Sequence, residues 1–205
     1  MINKEKYIKM NQEELNEELL EMLTRGNLEV AKFLLTSKEL KVNASIHAKH
    51  NWNTLMCACS EGVLEVVEYL IHSPELTEHV DIHEREKYGS TSLMIATNYE
   101  HLNIVQYLTT SPTLKEHVDI YIKNNYGVNA LMIACKKNNL DIAKFFIIDL
   151  DMNIDNDTMS WLSGNNKEKI VYKDVLNIIK IKEFNNQLNI KLSNNNNDIK
   201  RKRKV

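Results

Sequence analysis

Apolar residues recur along this chain at helical spacing, and the whole pattern repeats at a fixed distance. From Leu55 to Ile71, apolar residues three or four positions apart predict two short amphipathic helices with a break at Gly62. The same pattern starts again at Leu93 and at Leu131, each 38 residues after the previous start. A fixed period of this length is typical of a stack of similar units, none of which can bury its apolar face alone.

A weaker copy of the pattern precedes these three units. Asn11 is expected to cap a helix that ends near Gly26, and a second helix follows from Leu28. The sequence therefore predicts units at roughly residues 11–50, 51–88, 89–126 and 127–155. For the last three we expect inner helices near Thr54–Ser60, Leu93–Asn98 and Leu131–Lys137, and outer helices near Leu64–His72, Leu102–Thr109 and Leu140–Ile148.

A Ser-Pro pair follows two of the predicted outer helices, at Ser73 and again at Ser111. Serine can cap a helical turn and proline can occupy its first position, so a brief extra turn is expected at both places. Leu76 and Leu114, three residues further on, are expected to anchor these turns to the core.

Projecting hairpin loops are predicted between successive units. Residues 80–89, and their copy at 118–127, alternate apolar and polar residues, have a polar tip and end in glycine. His79 and His117 recur immediately before these loops. Because a residue that recurs at the period indicates a scaffold role, we expect each histidine to make a hydrogen bond that fixes the base of its hairpin.

The motifs of the third unit resemble those of the ankyrin repeat family. From Gly89 the chain reads G-S-T-S-L-M-I-A, and from His101 it reads H-L-N-I-V, which is similar to the pattern G-x-T-P-L-H-x-A-A-x-x-G-H-x-E-V-V. The resemblance covers roughly residues 11–155. It implies an all-α solenoid of helix-turn-helix units with projecting hairpin loops, whose partners bind to the hairpin tips and to the exposed side of the inner helices.

Two departures from the family pattern stand out. The T-P-L-H corner reads T-S-L-M here, so the threonine–histidine hydrogen bond usual in the family is missing. Each central unit is also about five residues longer than the family's 33, and the additional residues lie at the Ser-Pro turn. Neither departure changes the expected fold.

The pattern changes after the fourth unit. Residues 156–192 are predicted to form a helical C-terminal cap, and residues 193–205 a disordered basic tail that begins with an asparagine run. The apolar residues expected to cover the end of the stack, in one or two amphipathic helices, are Val171, Val175, Ile178, Ile179, Phe184 and Leu188.

Composition and charge narrow the class of protein. The chain has 205 residues, 43% of them hydrophobic, and a net charge of −2, which gives no overall field favouring nucleic acid or a membrane surface. Neither an apolar run long enough to cross a bilayer nor a secretory leader is visible. Three cysteines without a framework spacing suit a reducing compartment, so we expect a cytoplasmic or nuclear protein. The Asn-, Ile- and Lys-rich composition fits an AT-rich genome, and a virus or intracellular bacterium would place the protein in its host's cell.

No catalytic or metal-binding pattern emerges. Cys57 and Cys59 are two residues apart on a predicted helix and so point in different directions, which favours core packing over a shared metal ion. The remaining histidines have no ligand spacing, and no nucleophile set or phosphate-binding glycine loop is present. We expect no cofactor, no metal and no small-molecule substrate, although an unrecognised enzymatic site within residues 157–192 is a rival hypothesis.

The resemblance implies a set of partner-binding residues. Transferred position by position, they flank the hairpin glycine and end each inner helix. They are Lys49, His50, Trp52, Ser60 and Glu61; then Lys87, Tyr88, Ser90, Asn98 and Tyr99; and then Asn125, Tyr126, Val128, Lys136 and Lys137.

Comparison between units sorts these positions. Tyr88 and Tyr126 recur, so packing between neighbouring hairpins explains them at least as well as recognition does. Trp52 and Tyr99 each appear once, which makes them candidate anchors for a protein partner, although Trp52 could instead merely cover the neighbouring hairpin. The equivalent positions Glu61, Tyr99 and Lys137 change from acidic to basic. This series could orient a charged partner or simply be a solvated face.

The last residues suggest an alternative function. Lys200, Arg201, Lys202, Arg203 and Lys204 form a basic run that resembles a short nuclear-import signal. Five consecutive cations could equally bind nucleic acid or anionic lipid weakly. A nuclear or nucleic-acid-associated protein acting through this tail is therefore the alternative to a protein-binding module.

Overall fold

The computed structural model describes residues 2–47, 52–76, 79–164 and 170–202. The described residues are α-helical, with one π-helical segment and no β-strand. The helices are α1 (Lys4–Ile8), α2 (Gln12–Thr24), α3 (Leu28–Thr36), α4 (Thr54–Glu61), α5 (Leu64–His72), α6 (Ser92–Asn98), α7 (Leu102–Thr110), α8 (Ala130–Lys137), α9 (Leu140–Lys144), the π-helical segment Phe145–Asp149, α10 (Asn156–Gly164) and α11 (Ile170–Lys202). The chain forms two compact units, Met1–Ile133 and Ala134–Val205, and the boundary between them falls in the sequence of α8.

The first compact unit is a stack of helix pairs. The inner helices α2, α4 and α6 contact one another in order, and each packs against its own outer helix, α3, α5 or α7. Leu55, Leu93 and Leu131 are 0–1% exposed, so they occupy matching buried places in successive layers, as the period predicts. The all-α repeat fold is thereby confirmed. The predicted bounds of α4 to α8 are correct to within one residue.

The inner helices begin with the same capping device in each repeat. The side-chain oxygens of Asn53 and Asn129 accept hydrogen bonds from the backbone amides of Met56 and Met132, at 2.8 and 2.9 Å. Thr91 does the same for α6, and Asn11 forms a full capping box with Glu14 on α2. A cap of this kind stabilises a helix by ~1 kcal/mol. The T-S-L-M corner therefore keeps the helix-capping role of its threonine, although it lacks the histidine of the family's motif.

A left-handed residue joins each inner helix to its outer helix. Gly26 and Gly62 take φ values of +64° and +78°, as expected for glycine at the end of a helix. At the equivalent places in the next two repeats, Glu100 and Asn138 take φ values of +68° and +66°. Asparagine tolerates this conformation better than glutamate does, so Glu100 is a strained position.

The Ser-Pro turn is closed by a recurring side-chain hydrogen bond. His79 Nε2 lies 3.1 Å from the Ser73 carbonyl oxygen, and His117 Nε2 lies 2.9 Å from that of Ser111. The predicted extra turn is confirmed, and so is the burial of Leu76 and Leu114 beneath it, both under 10% exposed. The hydrogen bond predicted for each histidine therefore exists, but it closes the preceding turn rather than the hairpin.

The first repeat makes the same closure with a different residue. Asn43 Nδ2 donates to the Ser37 carbonyl at 3.0 Å, and Ser37 Oγ accepts from the Glu39 amide at 3.1 Å, as Ser73 Oγ does from Glu75 at 3.2 Å. Leu40 is buried in the place of Leu76. The first repeat therefore has this turn without a proline.

The second compact unit contains the outer helix of the fourth repeat and the C-terminal helices. The expected outer helix begins as α9, but its second half is the π-helical segment. Both contact α11, and α10 contacts α11 as well. Lys182 fixes α11 to the preceding loop, because its ammonium group lies 2.8 Å from the Asp151 carboxylate and 3.0 Å from the Met152 carbonyl.

The structure corrects two expectations about α11. Val175 and Ile179 are buried, but Phe184 and Leu188 are 65% and 45% exposed, so the latter two are not the core residues that their periodicity predicts. The apolar pattern continues along the helix beyond the point where other helices contact it. The helix also runs through the asparagine run to Lys202 instead of ending at residue 192. Extending an existing helix costs far less than starting one, which lets α11 include residues of modest helix propensity. Arg203 and Lys204 lie outside the described residues.

Candidate functional site

Neighbouring hairpins in the first compact unit are joined by side-chain and backbone hydrogen bonds. Arg85 Nη2 donates to the Lys123 carbonyl at 2.7 Å, and the Asn125 amide donates to the Tyr88 carbonyl at 2.9 Å. The Asn125 side chain adds a bond of 3.2 Å to the Lys87 carbonyl. Each of these bonds links residues 37 or 38 positions apart. The tips are therefore held in place before any partner arrives.

Tyr88 and Tyr126 face each other at the tips of the two hairpins. Their ring centroids are 6.1 Å apart, within the range of a favourable aromatic pair. Tyr126 nevertheless remains 71% exposed and Tyr88 48%. Packing between hairpins, the explanation that their recurrence favours, is therefore present, and it leaves much of each ring accessible.

Trp52 and Tyr99, the two proposed anchors, contact each other. Their ring centroids are 5.9 Å apart with an interplanar angle of 86°, an edge-to-face arrangement. Trp52 precedes α4 of the second repeat, whereas Tyr99 follows α6 of the third. Trp52 is half-buried and Tyr99 is 44% exposed. The pair therefore forms a fixed aromatic surface to which both repeats contribute.

A groove of about 750 Å³ lies beside this pair in the first compact unit. Its residues come from one wall on α2, a floor on α4 and a second wall on the hairpin of the third repeat. They are Glu17, Leu20, Glu21, Thr24, Trp52, Cys57, Glu86, Lys87 and Tyr88. The volume is in the range of known ligand pockets, roughly 300–1,000 Å³.

The walls of the groove carry more negative than positive charge. The Glu21 carboxylate contacts Arg25 at 2.5 Å, and the Lys87 ammonium lies 4.8 Å from the centroid of the Tyr88 ring. Partial burial disfavours the charged form of Glu86, but hydrogen bonds from the backbone amides of Tyr88 and Ser90 outweigh it and lower the pKa of this carboxyl. Glu86 is thus firmly ionised at neutral pH.

The other predicted partner-binding residues fall into three groups. Glu61, Asn98 and Asn125 are exposed, and Ser90 and Val128 are half-buried in the hairpins. Lys136 and Lys137 are exposed at the end of α8, in the second compact unit. Lys49 and His50 lie outside the described residues.

Ser60 does not belong to the exposed surface. It is 5% exposed, and its hydroxyl donates to the Cys57 carbonyl at 2.7 Å. Its own carbonyl accepts a hydrogen bond from His101 Nε2 of the next repeat at 2.9 Å. The transfer from the family pattern is wrong here, because a short side chain near the end of α4 folds back onto its own helix.

Sequence reasoning missed the wall that α2 contributes. The groove residues Glu17, Leu20, Glu21 and Thr24 lie on the inner helix of the first repeat, from which no binding position was proposed. These positions could have been found from the alignment of this helix with the later inner helices. They were missed because the first repeat was interpreted only as a terminal unit.

The cysteines are core residues, as the sequence predicts. Cys59 and Cys135 are fully buried, and Cys57 is 7% exposed at the groove floor. Burial, with a smaller contribution from Glu61, raises the pKa of the Cys57 thiol to about 11, and burial raises that of Cys135 to about 12. Both thiols are therefore protonated and unreactive at neutral pH.

Neither a metal-binding cluster nor a membrane span is found in the parts of the chain that the structure describes. Among these residues, no three His, Cys, Asp or Glu side chains come together as a metal ion would require. Within the same residues, each helix is either too short or too polar to cross a bilayer.

Comparison with known proteins gives one match. Residues 74–160 match the family model of ankyrin repeats in three copies. No curated protein matches the chain. The matched segment begins at the Ser-Pro turn of the second repeat and includes most of α10.

Proposed function

We propose that this chain, an ankyrin-repeat protein, is a non-catalytic module that binds another protein. The proposed binding site is the groove between α2, α4 and the hairpin of the third repeat. Ankyrin repeats generally mediate protein–protein interaction. The observation that carries the proposal is the Trp52–Tyr99 pair: the Trp52 ring lines the groove, and the Tyr99 ring packed against it is 44% exposed. Aromatic residues of this kind dominate the energetics of protein interfaces.

Preorganisation supports the same function. The hairpin tips are already linked by the hydrogen bonds from Arg85 and Asn125. The aromatic pair fixes two rings that would otherwise lose freedom on binding. A partner that docks here meets side chains and loops that are already ordered, so the loss of conformational freedom on binding lowers the affinity less.

Affinity capture with quantitative mass spectrometry tests this proposal. The double variant Trp52→Ala/Tyr99→Ala is expected to lose the proteins that the unchanged chain captures by direct, crosslinkable contact. The control is Phe184→Ala, which removes a more exposed aromatic ring, from α11. The melting temperature of the double variant should change little, since Tyr99 is 44% exposed and Trp52 is only half-buried, and their edge-to-face contact adds only ~0.5–1.5 kcal/mol beyond the area buried.

Equal capture by the unchanged chain and the double variant would refute the groove as the binding site. A large fall in the melting temperature of the double variant would show that the two rings are core residues. Loss of capture in Phe184→Ala alone would move the binding surface to α11.

We place this activity in the cytoplasm or the nucleus, and in a host cell if the chain comes from a virus or an intracellular bacterium. The basic run Lys200–Lys204 is the basis of the alternative role in nuclear import or nucleic-acid binding.

A further inference from the structure

The groove combines an apolar floor with carboxylates on both walls. Cys57 at the floor and Leu20 on the α2 wall are each under 10% exposed, and Trp52 also lines the groove. Among the residues that the structure describes, Glu17 and Glu21 stand on the α2 wall and Glu86 on the hairpin wall, against one lining cation, Lys87. The described part of the lining therefore carries a net charge of −2, from three carboxylates and one ammonium group.

The three carboxylates differ in the hydrogen bonds and ion pairs that they make within the protein. Glu21 is paired with Arg25, and Glu86 accepts a hydrogen bond from the Ser90 amide at 3.0 Å. Glu17 makes no hydrogen bond or ion pair with any residue in the described parts of the chain. Its carboxylate is free to meet a cation from outside.

The row of carboxylates on the α2 wall is expected to destabilise helix α2. Glu13, Glu17 and Glu21 are four residues apart, so they form a row on one side of the helix. Like charges at this spacing repel and destabilise a helix. The last turn of α2 contains no basic residue to offset them, and within the described residues the row has one ion pair, between Glu21 and Arg25 just beyond the helix. A cation placed over the row would relieve the repulsion.

This chemistry selects one kind of occupant. A carboxylate wall above an apolar and aromatic floor complements a side chain that carries a cation on an apolar stem, namely arginine or lysine. Arginine fits best, because its planar guanidinium pairs with carboxylates through two hydrogen bonds and stacks on aromatic rings. The groove repels phosphate groups, which argues against nucleic acid at this surface.

From these contacts we infer that the groove binds a segment of a partner protein in which arginine or lysine lies next to aliphatic residues, with Glu17 as the main acceptor of the cation. The inference rests on the proposed protein-binding function and adds the chemistry of the partner. The ammonium of Lys87, held over the Tyr88 ring, lies on the hairpin wall and so leaves the α2 wall to the incoming cation.

A phage-displayed library of random dodecapeptides, selected on the full-length chain, tests the inference. We expect the enriched peptides to contain arginine or lysine beside leucine, isoleucine or valine. The most enriched peptide, labelled with fluorescein, is then titrated with the protein by anisotropy. In a Trp161→Phe background Trp52 is the remaining tryptophan, and its fluorescence reports binding at the groove.

Two charge-reversal variants separate the site from overall charge. Glu17→Lys is expected to weaken binding of the peptide about tenfold or more, and to weaken its salt dependence. Glu29→Lys makes the same change on the outer helix α3, where the residue is exposed outside the groove. It should change the Kd less than about twofold.

The other outcomes overturn the inference in distinguishable ways. If the enriched peptides lack cations but their binding requires Trp52, the proposed function stands and the inference that the partner segment is basic is refuted. If neither Trp52→Ala nor Glu17→Lys changes the binding of the enriched peptides, both the groove as the binding site and the proposed function are refuted. Equal losses in Glu17→Lys and Glu29→Lys, or no enriched peptide at all, would show that the groove does not recognise a basic segment.

Discussion

The contact between Gly62 and His101 makes a quantitative prediction about stability. Gly62 has a φ of +78°, and a β-carbon added there would overlap the His101 ring. Gly127 has nearly the same φ, +73°, but open space where a β-carbon would stand. The two glycines therefore separate the cost of the backbone conformation from the cost of the contact.

The expected magnitudes follow from these surroundings. Alanine in the left-handed conformation costs about 1–2 kcal/mol, so Gly127→Ala should lower the free energy of unfolding by about that amount. Gly62→Ala has the same cost and must also displace the His101 ring, which breaks the bond to the Ser60 carbonyl. Losing that bond and leaving a part-buried carbonyl unpaired adds ~1–3 kcal/mol. We expect a total of about 2–5 kcal/mol.

Thermal and urea unfolding followed by circular dichroism measure the difference. For a chain of this length, each kcal/mol corresponds to roughly 2–4 °C in melting temperature. In a His101→Ala background the ring is gone, so Gly62→Ala should cost no more than Gly127→Ala does. Equal costs for the two single variants, or a Gly62→Ala cost that His101→Ala leaves unchanged, would refute the contact.

Three further predictions address other parts of the chain. Glu100→Gly should raise the free energy of unfolding by ~1 kcal/mol by removing the left-handed strain, and Asn138→Gly, at the equivalent place, should raise it less; a fall in melting temperature for Glu100→Gly would contradict the strain argument. Because the folded-state pKa of Glu86 lies below its ordinary value of 4.5, its stabilising contribution is present above pH 4.5 and is lost as the pH falls through the lowered value. Glu86→Gln should therefore destabilise the chain at pH 7 but not in strong acid, and a pH-independent difference would exclude this mechanism. Deletion of Lys200–Val205 should leave capture through the groove unchanged, whereas a change in localisation or nucleic-acid binding in a tagged chain would support the alternative role of the tail.

The repeat fold was predictable because burial imposes a pattern on the sequence. Leu55, Leu93 and Leu131 must all be apolar to fill equivalent places, so their spacing reveals the stack. The recurrence of His79 and His117 at the period likewise predicted a hydrogen bond with a structural role. The closure by Asn43 was not visible, because asparagine instead of histidine makes the same bond, at the same separation of six residues from the serine.

The site was less predictable because it depends on contacts between repeats that differ in sequence. Trp52 and Tyr99 could each be singled out as unusual, but nothing in the spacing indicated that their rings would meet. Ser60 was misplaced because the family pattern gives a position and not the direction of the side chain. For Phe184 and Leu188, the helical periodicity gave the face correctly and could not show where the neighbouring helices end.

The hydrogen bonds between hairpin tips make the groove depend on a repeat that does not line it. Lys87 and Tyr88 form one wall, and their carbonyl groups are held by Asn125 of the following repeat. Shortening the chain at Thr110 would keep every residue that lines the groove and yet release that wall. The smallest fragment that recognises the partner should accordingly extend one hairpin further than the residues the partner touches.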